Sequence, residues 1–111
     1  MKIAVSSIDK NIESNVSDVF GRCPYFIIAE VKDQKIDKIE VIENENIDQM
    51  GGAGISTAQL MAEKNINAVI AKNIGPRALD VLKQFNIRIY YGDGTAEKVL
   101  QEFIDGKLKK I

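Results

Sequence analysis

The second half of the chain repeats one unit. Asn67 to Ala71 is a short uncharged run, followed by the turn Asn73-Ile74-Gly75-Pro76. Ala78, Val81, Leu82 and Phe85 then fall at i, i+3, i+4 and i+7. Ile87 to Tyr91 is a second such run, Gly92-Asp93-Gly94 a second turn, and Ala96, Val99, Leu100 and Phe103 repeat the spacing. Each run predicts a buried strand and each spaced set one apolar face of a helix. Pro76 suits a first helical position and Thr95 a cap, while Asn86 and Gly106 stop the helices. Strands that alternate with helices must lie parallel and be joined by right-handed crossovers. That requirement fixes an α/β class before any other residue is read.

The first half supplies the rest of the sheet. Lys2 to Ser6 reads as a buried strand. Ser7 to Cys23 scatters its apolar residues among Asp, Asn and Ser, and reads as a long loop with one helical turn around Ser17 to Phe20. A loop of that length is usually functional or packed by its own side chains. Tyr25 to Val31 is aromatic and β-branched, Asp33-Gln34 is a turn, and Lys35 to Glu43 alternates apolar with charged residues. The pair predicts an antiparallel hairpin with one wet face. Asn44 to Met50 is a polar loop, and Gly51-Gly52-Ala53-Gly54 opens a helix over Ile55 to Lys64. The order βββαβαβα predicts a single domain over residues 1–111. Its economical form is a five-stranded mixed sheet with the first strand central, a ribonuclease H-like arrangement. Lys107 to Ile111 reads as a solvated basic tail.

Composition narrows the chemistry. The chain has 15 Lys+Arg against 16 Asp+Glu, so no global field favours nucleic acid or an anionic membrane. It has no His and one Cys. Ser-His-Asp and Cys-His catalysis are excluded, as are His-liganded zinc and an intramolecular disulfide. No apolar run approaches a membrane span, and the N-terminus turns polar too soon for a signal peptide, which predicts a cytoplasmic protein.

In an open α/β sheet, ligands gather beyond the carboxyl ends of the parallel strands. Three segments are expected there: Ser6, Ser7 and Asp9 after the first strand, Asn73 to Arg77, and Gly92 to Thr95. The loop Asn44 to Met50 is long enough to bring Gly51 to Gly54 to the same rim. Three helix N-termini on one rim would give an anion-binding environment. Gly92 and Gly94 are better explained as turn geometry. Gly51 to Gly54 is neither a dinucleotide fingerprint nor a P-loop, lacking the third Gly of one and the Lys-Ser/Thr of the other. Arg77 opposes the dipole of its own helix, which favours a role with an anion. Cys23 is either a small buried residue or a thiolate favoured by Arg22 and open to a metal.

The run Phe20-Gly21-Arg22-Cys23-Pro24-Tyr25-Phe26 resembles the FGR(A/C)PYF segment of the dinitrogenase iron-molybdenum cofactor biosynthesis family. Gly51 to Gly54 looks like that family's glycine turn, and Asn73 to Ala78 is similar to its N-(V/I)-GP-(K/R)-A motif. The resemblance covers nearly the whole chain and implies the same ribonuclease H-like fold. It implies a non-enzymatic carrier of an iron-molybdenum or iron-sulfur cluster, partnered by metallocofactor assembly proteins. Neither nucleic acid nor membrane is implied, and a monomer or weak dimer is expected. The implied cofactor-binding residues are Ser6, Arg22, Cys23, Gly51, Gly52, Gly54, Asn73, Gly75 and Arg77, with Cys23 as the metal ligand. Many members carry a His before the glycine turn, where this chain has Asp48-Gln49-Met50. That leaves Cys23 as the strong soft ligand and Met50 as a weak second.

Two other readings compete. A ribonuclease H-like nuclease needs carboxylates converging on metal, one of them usually on the first strand, and that strand has none. A small interaction module would use the half-exposed hairpin Tyr25 to Glu43. There Lys35, Asp37, Lys38 and Glu40 resemble charges that discourage indiscriminate edge pairing.

Overall fold

The computed structural model describes residues 1–45 and 52–111. Its elements are β1 (Lys2–Ser7), β2 (Tyr25–Lys32), β3 (Lys35–Glu43), α1 (Ala53–Glu63), β4 (Ala68–Ala71), α2 (Pro76–Gln84), β5 (Arg88–Tyr91), α3 (Ala96–Ile104) and β6 (Lys109–Lys110). The sheet runs β3-β2-β1-β4-β5-β6. β1 lies antiparallel to β2 and parallel to β4, and β4 is parallel to β5. The β2–β3 hairpin turns on Asp33 and Gln34, whose φ values of 52° and 63° fit the right-handed twist of the strands.

The sheet has six strands, not five. The basic tail is not wholly solvated: Lys109 and Lys110 pair antiparallel with Tyr91 and Tyr90. Gly106, at φ 71°, reverses the chain after α3, and Leu108 packs on the core beside that helix. The Ile111 N–H donates to the Ile89 carbonyl at 2.8 Å. An apolar residue inside a basic run, next to an open strand edge, was enough to recruit the tail.

The sheet separates two cores. On one face α1 and α2 bury Ala58, Met61, Ala78 and Leu82 against Phe26, Ile28, Val69 and Ile89. On the other, α3 buries Ala96, Val99 and Leu100 against Val5, Ile27 and Ile70. β1 and β4, covered on both faces, are apolar throughout apart from the ends of β1, whereas β3 alternates and stays mostly exposed. Phe85, expected on the apolar face of α2, lies past its end and is 52% exposed. Among the described residues, no helix is long and apolar enough to cross a membrane.

The loop between β1 and β2 carries no helical turn at Ser17 to Phe20. It is stitched across the carboxyl edge of the sheet by single bridges, Ser7 to Val16, Asn15 to Thr95 and Val19 to Asn73. Lys72 holds it from below, 3.5 Å from Asp18 and 3.2 Å from Asp93. That pairing, with Asp93 first, raises the Lys72 pKa.

A candidate anion cleft between two helix N-termini

Where the loop turns towards β2 it forms one lip of a cleft of about 350 Å³. Val19, Phe20 and Arg22 line that lip, Gly52 to Ile55 line the start of α1, and Gly75 to Ala78 line the start of α2. Phe20 is buried and meets Phe26 edge-on at 5.7 Å, which anchors the lip in the core. Arg22 and Arg77 are exposed at the mouth.

The glycines explain how three backbone segments come this close. Gly21 has φ 93°, and a Cβ there would stand 2.9 Å from the Gly54 Cα. A Cβ on Gly54 would stand 3.1 Å from that of Ala78, so α1 and α2 start side by side. Gly52 caps α1 in the left-handed conformation at φ 69°, with no side chain in the way. Gly75 caps α2 in extended conformation, and Pro76 takes the first helical turn. The Ser56 N–H reaches the Gly52 carbonyl and the Leu79 N–H the Gly75 carbonyl. The N–H groups ahead of those bonds belong to the open ends of the helices, where the positive poles of both dipoles meet.

The third helix terminus expected on this rim is closed. The Ala96 N–H donates to the Ser14 carbonyl and the Glu97 N–H to the Ile12 carbonyl, both at 2.8 Å. The Thr95 hydroxyl accepts from the Lys98 N–H at 3.2 Å. Gly92 serves packing, since a Cβ there would collide with Ile70 Cγ2. Among the described residues, none of α3 lines the cleft.

The residues proposed from sequence therefore divide. Arg22, Gly52, Gly54, Gly75 and Arg77 line the cleft, and Gly51 lies outside the described residues. Ser6 is fully buried, and its carbonyl accepts from the Ser17 N–H. Asn73 pins the lip instead of lining it: its side chain donates to the Asp18 carbonyl and its carbonyl accepts from the Phe20 N–H, both at 2.9 Å. Asp9 is exposed on the loop. Met50, the weak second ligand, lies outside the described residues.

Of the two readings of Cys23, the structure favours the small buried residue over the thiolate beside Arg22. It is 1% exposed and packs in the core with Phe20 and Ala78. Burial pushes its thiol up from the ordinary 9.0 to about 11, against a partial offset from the Gly21 backbone. At neutral pH it is a thiol, which is a poor metal ligand. Among the described residues, no group of three His, Cys, Asp or Glu is placed to hold a metal ion. Sequence reasoning missed Asn44, which is buried and donates through Nδ2 to the carbonyls of Gly21 at 3.2 Å and Cys23 at 2.8 Å. It fixes the lip from the far side. An Asn just after a strand looks like any turn residue, so the sequence carries no separate signal for this role.

Comparison with known proteins places this geometry in a family. MJ0580 of Methanocaldococcus jannaschii is 38% identical over all of this chain and 96% of its own length. The NMR structure of TM1290 from Thermotoga superposes with a TM-score of 0.83 at 32% identity, over 98% of this chain and 91% of that one. The apo form of the orange protein from Desulfovibrio gigas gives 0.90 over 99% and 92%, and at 24% identity shares the fold. The family model for the dinitrogenase iron-molybdenum cofactor matches residues 1–106, and the chain belongs to that family.

Proposed function

We propose that the chain is a binding and carrier protein for an anionic metal-sulfur cluster of the iron-molybdenum or iron-sulfur type, accessory to metallocofactor assembly. The cluster is cargo. The supporting observation is the cleft in which the open N-termini of α1 and α2 meet Arg22 and Arg77. Backbone N–H groups and guanidinium groups bind sulfide-rich anions through charge-assisted hydrogen bonds. The donor set fits cargo that brings its own sulfides, because Cys23 is buried as a thiol. Assembly proteins that give or take the cluster would approach the open mouth of this cleft.

A carrier also suits the site better than a catalyst. The order of the five longer strands supports the ribonuclease H-like reading, but a nuclease would need carboxylates at the end of β1. There Ser6 and Ser7 are buried, and the loop covers them.

Anaerobic titration with tetrathiomolybdate, followed by visible absorption and equilibrium dialysis, tests the proposal. Wild-type protein should bind one equivalent per chain. Arg22→Gln and Arg77→Gln should each weaken binding on the order of tenfold, the scale of one charge-assisted hydrogen bond. Cys23→Ser should bind as wild type. A wild-type protein that acquires no stoichiometric chromophore, from thiomolybdate or from iron and sulfide, would overturn the reading.

A further inference from the structure

Among the described residues β3 is an outer strand of the sheet, bonded to β2 on one side only. The Val31 N–H donates to the Met1 carbonyl, so the odd residues of β2 bond to β1 and its even residues to β3. The Asn44 N–H donates to the Pro24 carbonyl in the same register, so Lys38, Glu40 and Ile42 bond inward. Ile39, Val41 and Glu43 are left holding their N–H and C=O groups outward. Ile39 and Val41 are 42% and 38% exposed, on the face that α3 covers further in.

The charges on this edge are self-complementary. A second β3, antiparallel and centred on Ile39, sets Lys38 opposite Glu40 and Glu40 opposite Lys38. Beyond the bulge at Asp37 the register shifts by one, so Ile36 meets Val41, both on the face of Ile27 and Val31. Sliding the partner by two residues either way sets Glu40 against Glu40 or Lys38 against Lys38. Opposite residues in such a pair lie on one face, where unlike charges attract and like charges repel. The pattern also continues a ladder inside the sheet: Lys2 pairs with Glu30 and Glu30 with Lys38, so the next place calls for an acid.

We infer that β3 is a homodimer interface, joining two copies of this chain edge to edge about a two-fold axis through Ile39. The edge charges discourage indiscriminate pairing, as the sequence suggests, while selecting this one register. The contact is small, and its dissociation constant should be on the order of 100 μM.

Sedimentation equilibrium over a concentration series up to about ten times that value tests the inference. Wild type should dimerise, and Lys38→Glu or Glu40→Lys alone should weaken association roughly tenfold or more, since each converts two attractive pairs into repulsive ones. An equimolar mixture of the two variants should recover a heterodimer, because each supplies the charge that the other lacks. That recovery also shows that both variants fold. A wild type that stays monomeric throughout, or a dimer indifferent to both swaps, would overturn the inference.

Discussion

The two ends of the helical layers solve the same problem in opposite ways. Every helix begins with N–H groups that its own turns cannot satisfy. At α3 the chain satisfies them itself, with the carbonyls of Ile12 and Ser14 and the hydroxyl of Thr95. At α1 and α2 the caps are Gly52 and Gly75, which have no side chain to offer, and the ends open on a cleft with an Arg at either side. One loop makes the difference. Its first part plugs α3, and its last part, from Val19 to Arg22, stands back from α1 and α2 as a lip. A helix N-terminus therefore becomes a site only where the rest of the chain leaves it open.

The largest test of that contrast is Gly21→Ala. The substitution puts a methyl 2.9 Å from the Gly54 backbone at a φ of 93°, so the lip must lift off α1. Left-handed strain and overpacking together should cost about 3 kcal/mol in denaturant unfolding. Loss of thiomolybdate binding should accompany it even where the protein remains folded. An unchanged midpoint would mean that the lip is not seated as described.

Cys23 gives the next effect, confined to alkaline pH. Its folded pKa lies above its unfolded one, so the folded protein holds the proton longer. Below pH 9 the group costs nothing. As pH rises from the ordinary 9.0 to about 11 the unfolded chain ionises first, and stability falls. The loss should approach about 3 kcal/mol. Cys23→Ala lowers stability at neutral pH by removing packing, but its stability curve should be flatter than wild type over that window. Parallel curves would place the thiol in contact with water.

The smallest effect belongs to the closed end. Thr95→Ala removes one of three bonds at the start of α3 and should cost about 1 kcal/mol by thermal unfolding. It should create no anion site, because the Ser14 and Ile12 carbonyls still fill the end. Thiomolybdate titration of this variant should match wild type, and a second equivalent bound would erase the distinction between the two ends.

Much of this was legible in the residues. The two strand–helix units and the alternating hairpin gave the order of five strands and the central place of β1, because burial on both faces and on one face leave different patterns. Arg22, Gly52, Gly54, Gly75 and Arg77, which the resemblance implied as binding residues, line the cleft, and Arg77 also stood out by opposing its helix dipole. What the sequence hid depends on contacts between distant segments. Nothing in Ser14 or Ile12 announces that their carbonyls cap α3. Nothing in Cys23 distinguishes a thiol under a lip from a thiolate beside an arginine. β6 was hidden for a similar reason: two lysines become a strand only because β5 offers them an edge.

That short sixth strand sets a limit on growth. A sheet with two adhesive edges is a bivalent monomer, and bivalent monomers polymerise. Here one border is reduced to two exposed lysines, too short and too charged to template another chain. Among the described residues the sheet is left with an open edge at β3, and the two-fold contact inferred above would consume it in both copies at once. Assembly through the sheet would then stop at two copies.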